Sequence, residues 1–113
     1  MAKVGQLFLQ QGMWDGKQVV SAHWVKESTD ASIQVPIDYG SGFQNTGYGY
    51  LWWRGQFTKG NTDVFYSAGF GGQFIFIMPS IKAVVVMTGS NYDNSLNDMF
   101  DIVNRYILGS IVR

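Results

Sequence analysis

The sequence predicts an α+β domain in which helices flank both faces of an antiparallel β-sheet. Two segments, residues 73–78 and 82–88, are rich in Phe, Ile and Val and lack polar alternation. Continuous apolar strands are typical of a sheet that is covered on both faces. The short Pro79-Ser80 link joins them as neighbours. Helical periodicity near both ends of the chain supplies the two covering layers.

A first helix is predicted over residues 1–12, ending at Gly12, which suits a left-handed stop. Its apolar residues recur at helical spacing: Met1, Val4, Leu7 and Phe8. The dipeptide Asp15-Gly16 then predicts a tight turn between two very short strands.

Ser21 can cap a second helix that continues to Thr29, with Trp24 and Val25 facing inward. Residues 30–47 have the glycine, proline and polar composition of a long surface loop that lines a pocket. Residues 48–53 are expected to form a strand because of their aromatic content. The polar residues 54–63 are expected to form a turn or an extended hairpin tip.

A final helix is predicted after Ser95-Leu96-Asn97-Asp98, a sequence similar to a capping box. Its expected buried stripe consists of Leu96, Met99, Phe100, Val103, Tyr106 and Ile107.

Composition excludes several classes of function. The chain has 113 residues, enough for one domain, and 46% of them are hydrophobic, which excludes general disorder. Eight basic residues balance eight acidic ones without a charged run, so we expect no nucleic-acid partner. The apolar segments are far shorter than the roughly 20 residues that span a bilayer, so we expect no membrane span. There is no cysteine, and we expect no metal and no cofactor.

The glycine cluster at Gly69, Gly71 and Gly72 leads directly into the first apolar strand. Glycines allow positive φ and let another molecule approach the main chain. Main-chain N–H groups exposed at the mouth of a buried strand can stabilise a developing negative charge. The segment therefore indicates one wall of an active site. The alternative is a glycine-rich β-bulge with no ligand.

Residues 66–79 resemble the third active-site motif of serine hydrolases of the β-lactamase and penicillin-binding-protein type. The helix, turn and helix of residues 1–29, the Tyr48-Gly49-Tyr50-Leu51-Trp52-Trp53 segment and the Val84-Val85-Val86 strand are similar to that family's C-terminal half. The best likeness is to class C β-lactamase-related esterases and amide hydrolases. The resemblance implies the C-terminal part of the β-lactamase/transpeptidase-like fold, here as a single partial domain over residues 1–113.

The resemblance also implies roles for individual residues. Ser67-Ala68-Gly69 falls where the family has Lys-Thr-Gly or His-x-Gly, and the Phe70 N–H forms half of the oxyanion hole. The implied substrate-binding residues are Ser67, Ala68, Gly71, Gly72, Trp52 and Trp53. Ser67 lacks the charge of a lysine, which favours a neutral ester or amide over a β-lactam. Its alternative role is that of a small polar strand residue.

Two family motifs are missing or displaced. No serine has a lysine three residues later, so the Ser-x-x-Lys nucleophile is absent. Tyr-x-Asn occurs only as Tyr92-Asp93-Asn94, after the last strand, where we interpret it as a turn and helix entry. His23, the only histidine, is expected to be a solvated residue. We therefore expect the C-terminal segment of a longer hydrolase, inactive alone, acting on a small-molecule ester or amide only with the missing part.

Three further expectations remain open. A rival function is a non-catalytic module that binds a glycan or peptide through residues 48–53. A second rival is a truncated relic without activity. Strands that have lost partners would leave open edges, so we expect a homo-oligomer or a strand-exchanged dimer. The sequence does not decide whether the parent protein is periplasmic or cytoplasmic.

Overall fold

The computed structural model describes residues 1–90, Tyr92 and residues 97–112. The first part of the chain contains α1 (Ala2–Leu9), β1 (Met13–Trp14), β2 (Lys17–Gln18) and α2 (Ala22–Thr29). Six strands follow: β3 (Ile33–Asp38), β4 (Phe43–Tyr48), β5 (Trp53–Phe57), β6 (Thr62–Gly69), β7 (Gln73–Met78) and β8 (Ala83–Met87). The last helical run consists of α3 (Asn97–Asp101), a π-helical segment (Ile102–Ile107) and α4 (Leu108–Ile111).

The six strands form one antiparallel sheet in chain order, β3-β4-β5-β6-β7-β8, and β1 pairs separately with β2. The last helical run covers one face of the sheet. The buried residues of that core are Phe43, Phe57, Val64, Tyr66, Phe74, Phe76, Met78, Phe100, Val103 and Leu108. On the other face Phe8 and Leu9 of α1 pack on Trp52, Phe65, Ile75 and Ile77. The predicted α+β class, with an antiparallel sheet flanked by helices, is confirmed.

The prediction of a long loop over residues 30–47 is wrong, because β3 and most of β4 lie there. Burial alternates along β4, as a strand requires, but two of its inward positions are Asn45 and Gly47. A strand whose buried positions hold a polar and a small residue lacks the apolar alternation by which strands are recognised.

The strand predicted over residues 48–53 is also wrong. Tyr48 ends β4 and Trp53 begins β5, and the residues between them form a hairpin tip. The Gly49 N–H donates to the Trp52 carbonyl over 2.7 Å, and Leu51 has a φ of 69°. The polar residues 54–63 in turn belong largely to β5 and the start of β6. The strand was predicted in the wrong place because these aromatic residues pack around the turn between β4 and β5.

The N-terminal elements follow the prediction with two changes. The Ser21 hydroxyl accepts a hydrogen bond from the Trp24 N–H at 3.0 Å, as predicted for a helix cap. However, α1 ends at Leu9, and Gly5 faces the sheet in place of Val4, which is 47% exposed. The Trp24 side chain points outward, unlike that of Val25.

Of the predicted buried stripe of the last helix, Phe100 and Val103 are buried and Met99 and Ile107 are half-buried, whereas Tyr106 is 62% exposed. The π-helical segment changes the helical period, so that Leu108, five residues after Val103, becomes buried instead. Leu96 and most of the predicted capping box lie outside the described residues, as do Asp93 and Asn94.

A series of hydrogen bonds between buried polar groups crosses the sheet beneath the last helical run. The Tyr66 hydroxyl on β6 donates to Asn45 Oδ1 on β4 at 2.7 Å. Asn45 Nδ2 then donates to the Val35 carbonyl on β3, also at 2.7 Å. Burial raises the pKa of Tyr66, and the neighbouring Tyr39 raises it further. These two hydrogen bonds fix how β3 and β4 align with the central strands.

We predict that Tyr66→Phe lowers the free energy of unfolding by about 1–2 kcal/mol, because it leaves a buried amide oxygen without its donor. Urea denaturation measures the change. Tyr50→Phe, which removes the same hydroxyl from an exposed side chain, is the matched control and should change stability by less than about 0.5 kcal/mol. Equal effects of the two substitutions would show that the Tyr66 hydrogen bond does not stabilise the sheet.

Candidate functional site

The glycine cluster forms the turn of the β6–β7 hairpin. The Gly72 N–H donates to the Gly69 carbonyl at 3.3 Å, and Gly69 pairs with Gln73. Gly71 and Gly72 have φ values of 91° and 94°, which glycine adopts without strain. Phe70 is therefore the first central residue of a β-turn. The pairing of β6 with β7 is continuous up to this turn, so the glycines lie in the hairpin loop itself.

The end of β6 extends beyond the strand on its other side. β5 begins at Trp53, which pairs with Tyr66, so β6 continues for three more residues, Ser67 to Gly69. These residues pair with β7, whereas no other strand within the described residues pairs with them on the β5 side. One edge of the main chain is thus open immediately before the turn.

Phe70 follows this open segment and carries an unused main-chain donor. The N–H of the first central residue takes no part in the hydrogen bond that closes a β-turn. No acceptor for it is found among residues 1–90, Tyr92 and residues 97–112. The Phe70 side chain is 83% exposed, and its ring lies 4.9 Å from that of Tyr92, centroid to centroid. The donor therefore lies beside an exposed aromatic surface.

The remaining residues around the turn hold it in place. A Cβ atom on Gly71 would lie 2.8 Å from Tyr92 Cε1, and one on Gly72 would lie 2.9 Å from Met99 Cε. The Gln73 side-chain amide donates to the Gly89 carbonyl. The close contacts fix the turn against the segment after β8 and against α3, so the position of the donor is set by the fold.

Ser67 and Ala68 lie on the open segment at the end of β6. Ser67 is half-buried and pairs with Ile75, while Ala68 is exposed. The Ser67 hydroxyl has no hydrogen-bond partner in the described part of the chain.

The two tryptophans face opposite sides of the sheet. Trp52 is only 9% exposed and packs between Phe8 and Phe65, with ring centroids 4.8 and 5.5 Å away. Trp53 is half-buried and makes an edge-to-face contact with Tyr48 at 4.4 Å. Trp52 thus offers little surface to a ligand, whereas Trp53 remains partly accessible.

The sequence analysis did not identify Arg54, which joins α2 to the sheet. Its Nη1 donates to the Thr29 carbonyl at 3.1 Å, and its Nη2 lies 2.5 Å from Asp63 Oδ2. The guanidinium also lies 5.7 Å from the centre of the Phe65 ring. A cation beside the last carbonyl groups of a helix is favourable. This arginine borders a cavity of about 460 Å³ between the two N-terminal helices and the sheet. If β5 had been predicted in the right place, Arg54 would have been recognised as a strand residue.

The other candidate residues do not form a catalytic or metal site in the described part of the chain. His23 is exposed, and its Nε2 lies 3.4 Å from Glu27 Oε2 on the same helix. Within the described residues, no three His, Cys, Asp or Glu side chains are grouped as metal ligands. The helices in the same part of the chain are too short or too polar to cross a membrane.

The sequence matches no protein-family model, and no curated protein matches it significantly. Fold and site alone therefore define the class: an α+β chain whose antiparallel sheet presents an unused main-chain donor at a glycine turn.

We predict that the Phe70 amide hydrogen exchanges with solvent at a rate close to that of an unfolded peptide, because it has no acceptor in the described part of the chain. The amides of residues 74–77 in β7 should exchange orders of magnitude more slowly. Residue-resolved hydrogen exchange by NMR measures both. Strong protection of Phe70 would mean that its N–H is bonded within the protein and is not free for a ligand.

Proposed function

We propose that this chain is the C-terminal segment of a serine hydrolase of the β-lactamase and penicillin-binding-protein type, and that it supplies the third-motif strand and an oxyanion donor. The observation that carries the proposal is the unused Phe70 N–H at the open end of β6. The reaction is acyl transfer from an ester, amide or β-lactam through an acyl-enzyme.

In this reaction a serine oxygen attacks the substrate carbonyl, and the carbonyl oxygen gains negative charge. The Phe70 N–H donates a hydrogen bond to that oxygen. One such donor stabilises the transition state by roughly 3–4 kcal/mol. Because the sequence lacks Ser-x-x-Lys, the nucleophile and its base come from outside these 113 residues. The isolated chain provides the wall and the donor only.

The chemistry of the wall favours a neutral substrate. Among the described residues the Ser67 hydroxyl has no hydrogen-bond partner, and Ala68 beside it is uncharged and exposed. A hydroxyl can bond an ester or amide oxygen, but it does not balance the charge of a substrate carboxylate. We therefore propose a neutral ester or amide as the preferred substrate class.

The isolated chain is expected not to react with fluorophosphonate probes and not to hydrolyse nitrophenyl esters or nitrocefin, because no activated serine is present. Mass spectrometry of the labelled protein and absorbance assays measure this. Specific labelling of one serine in the isolated chain would overturn the assignment of the nucleophile to another segment.

The oxyanion role is tested in a longer chain, in which these residues follow a segment with Ser-x-x-Lys and Tyr-x-Asn. Phe70→Pro removes the N–H, and proline is favoured at the first central position of such a turn. We expect kcat to fall about 10²- to 10³-fold. Phe70→Ala keeps the N–H and is the matched control, with kcat within a few-fold of the parent. Equal rates for the two variants would refute the donor role.

A second candidate function is binding of a glycan or peptide without catalysis. Trp24 and Tyr50 are both about half exposed, and their rings stack at 5.5 Å with an interplanar angle of 10°. A flat, exposed aromatic surface is suited to stacking on a sugar ring or a peptide side chain. This pair, rather than the buried Trp52, would form the platform.

Binding of muropeptides or polysaccharides to the isolated chain, measured by calorimetry, tests the second candidate. Tyr50→Ala should weaken binding at least about tenfold, corresponding to 1.4 kcal/mol. Tyr92→Ala, which removes another exposed tyrosine ring, is the control and should leave affinity unchanged. Absence of binding by the parent chain would eliminate this function.

The proposal also includes self-association, as a homo-oligomer or by strand exchange. It is supported by exposed apolar side chains on the described surface, among them Val4, Val19 and Leu51.

A further inference from the structure

The last strand of the sheet has a free edge. β8 pairs with β7 on one side, and in the described ranges no strand pairs with its other side. A free edge presents unpaired N–H and C=O groups, which are a template for another extended chain.

The two edge strands of the sheet differ in their protection. β3 contains Pro36, ends at Asp38 and has a register shift between Gln34 and Ile37. A proline, a charge and an irregularity are the features that prevent pairing at natural edges. β8 has the sequence Ala-Val-Val-Val-Met, with no charge and no proline, and it pairs with β7 without a register shift. Only β8 is suited to accept a further strand.

Both faces of β8 are covered, although no strand of the described residues pairs with its outer edge. Val84 and Val86 pack against the core beneath α1, and a Cβ on Gly5 would lie 2.6 Å from Val84 Cγ1. Val85 and Met87 pack against the core beneath the last helical run. All five residues are nevertheless only half-buried. An added strand would bury the remaining apolar surface of β8 together with its backbone groups.

We propose that β8 pairs antiparallel with β8 of a second copy of this chain, with Val85 opposite Val85. The inference deepens the self-association included in the proposed function and does not depend on the hydrolase chemistry. The contact is isologous, as expected for a two-fold dimer. The two six-stranded sheets become one continuous sheet.

The strand is compatible with pairing to itself. In this register Val84 of one copy lies opposite Val86 of the other, so residues of the α1 face meet residues of the same face. Lys82 lies opposite Thr88, so no like charges face each other across the pair. A second copy can therefore pair with the N–H and C=O groups of the β8 edge without bringing like charges together or leaving a face uncovered.

Cysteine substitution tests the register, because the chain has no cysteine of its own. Directly opposed residues of an antiparallel pair are within the distance of a disulfide. Val85→Cys should give a covalent dimer on mild oxidation in nearly all molecules. Val35→Cys, the same substitution at the half-buried centre of β3, is the matched control and should remain largely monomeric on denaturing gels.

Proline substitution tests the edge itself. Because N–H groups alternate in direction along a strand, either Val84 or Val85 donates to β7 and the other faces outward. Of Val84→Pro and Val85→Pro, one should stay folded by circular dichroism with its sedimentation mass reduced twofold, and the other should be destabilised.

The wild-type chain should sediment as a dimer at micromolar concentration, and Phe70→Pro should sediment as the same dimer. A monomeric wild-type chain would overturn the proposal. So would equal cross-linking of Val85→Cys and Val35→Cys. A dimer that fails only the hydrolase tests would overturn the oxyanion role and leave the β8 interface in place.

Discussion

The fold depends on burying the β6–β7 pair from both sides. Phe74, Phe76, Ile77 and Met78 of β7 are fully buried, and their side chains alternate between the core under α1 and the core under the last helical run. Each fully buried apolar side chain of this size contributes about 1.5–3 kcal/mol. A strand of this kind is stable only when both helical layers are in place. The position of the glycine turn follows, because the turn joins these two strands.

The sequence predicted the strands whose buried side chains are apolar and missed the strand whose buried side chains include a polar one. β7 and β8 were predicted because both faces carry Phe, Ile or Val. β4 was missed because its inward positions include Asn45, whose partner Tyr66 lies 21 residues away. A hydrogen bond between distant residues leaves no periodic signal in the sequence. The exposure of Tyr106 was missed for a related reason, since the π-helical segment departs from the regular helical period.

The candidate site was predictable in its backbone and not in its side chains. Three glycines in four positions indicated a special conformation, and Gly71 and Gly72 have positive φ. Which tryptophan is buried depends on the position of the β4–β5 turn, and that turn was misplaced. Arg54 was missed because its partners, Thr29 and Asp63, belong to different elements and come together only when the sheet forms.

The end of β6 and the edge of β8 differ in which partner can satisfy their unpaired backbone groups. At the end of β6 the unpaired backbone covers three residues beside an exposed turn, where water can reach the N–H groups. A small polar group therefore exchanges with water there at little cost. Along β8 the unpaired backbone is flanked on both faces by half-buried valines, so water at the edge also contacts apolar surface. An added strand pairs with the backbone groups and also covers the apolar surface, whereas a small molecule does not do both. The end of β6 is therefore suited to a small polar group, which is what the proposed oxyanion role requires, and the edge of β8 is suited to another chain.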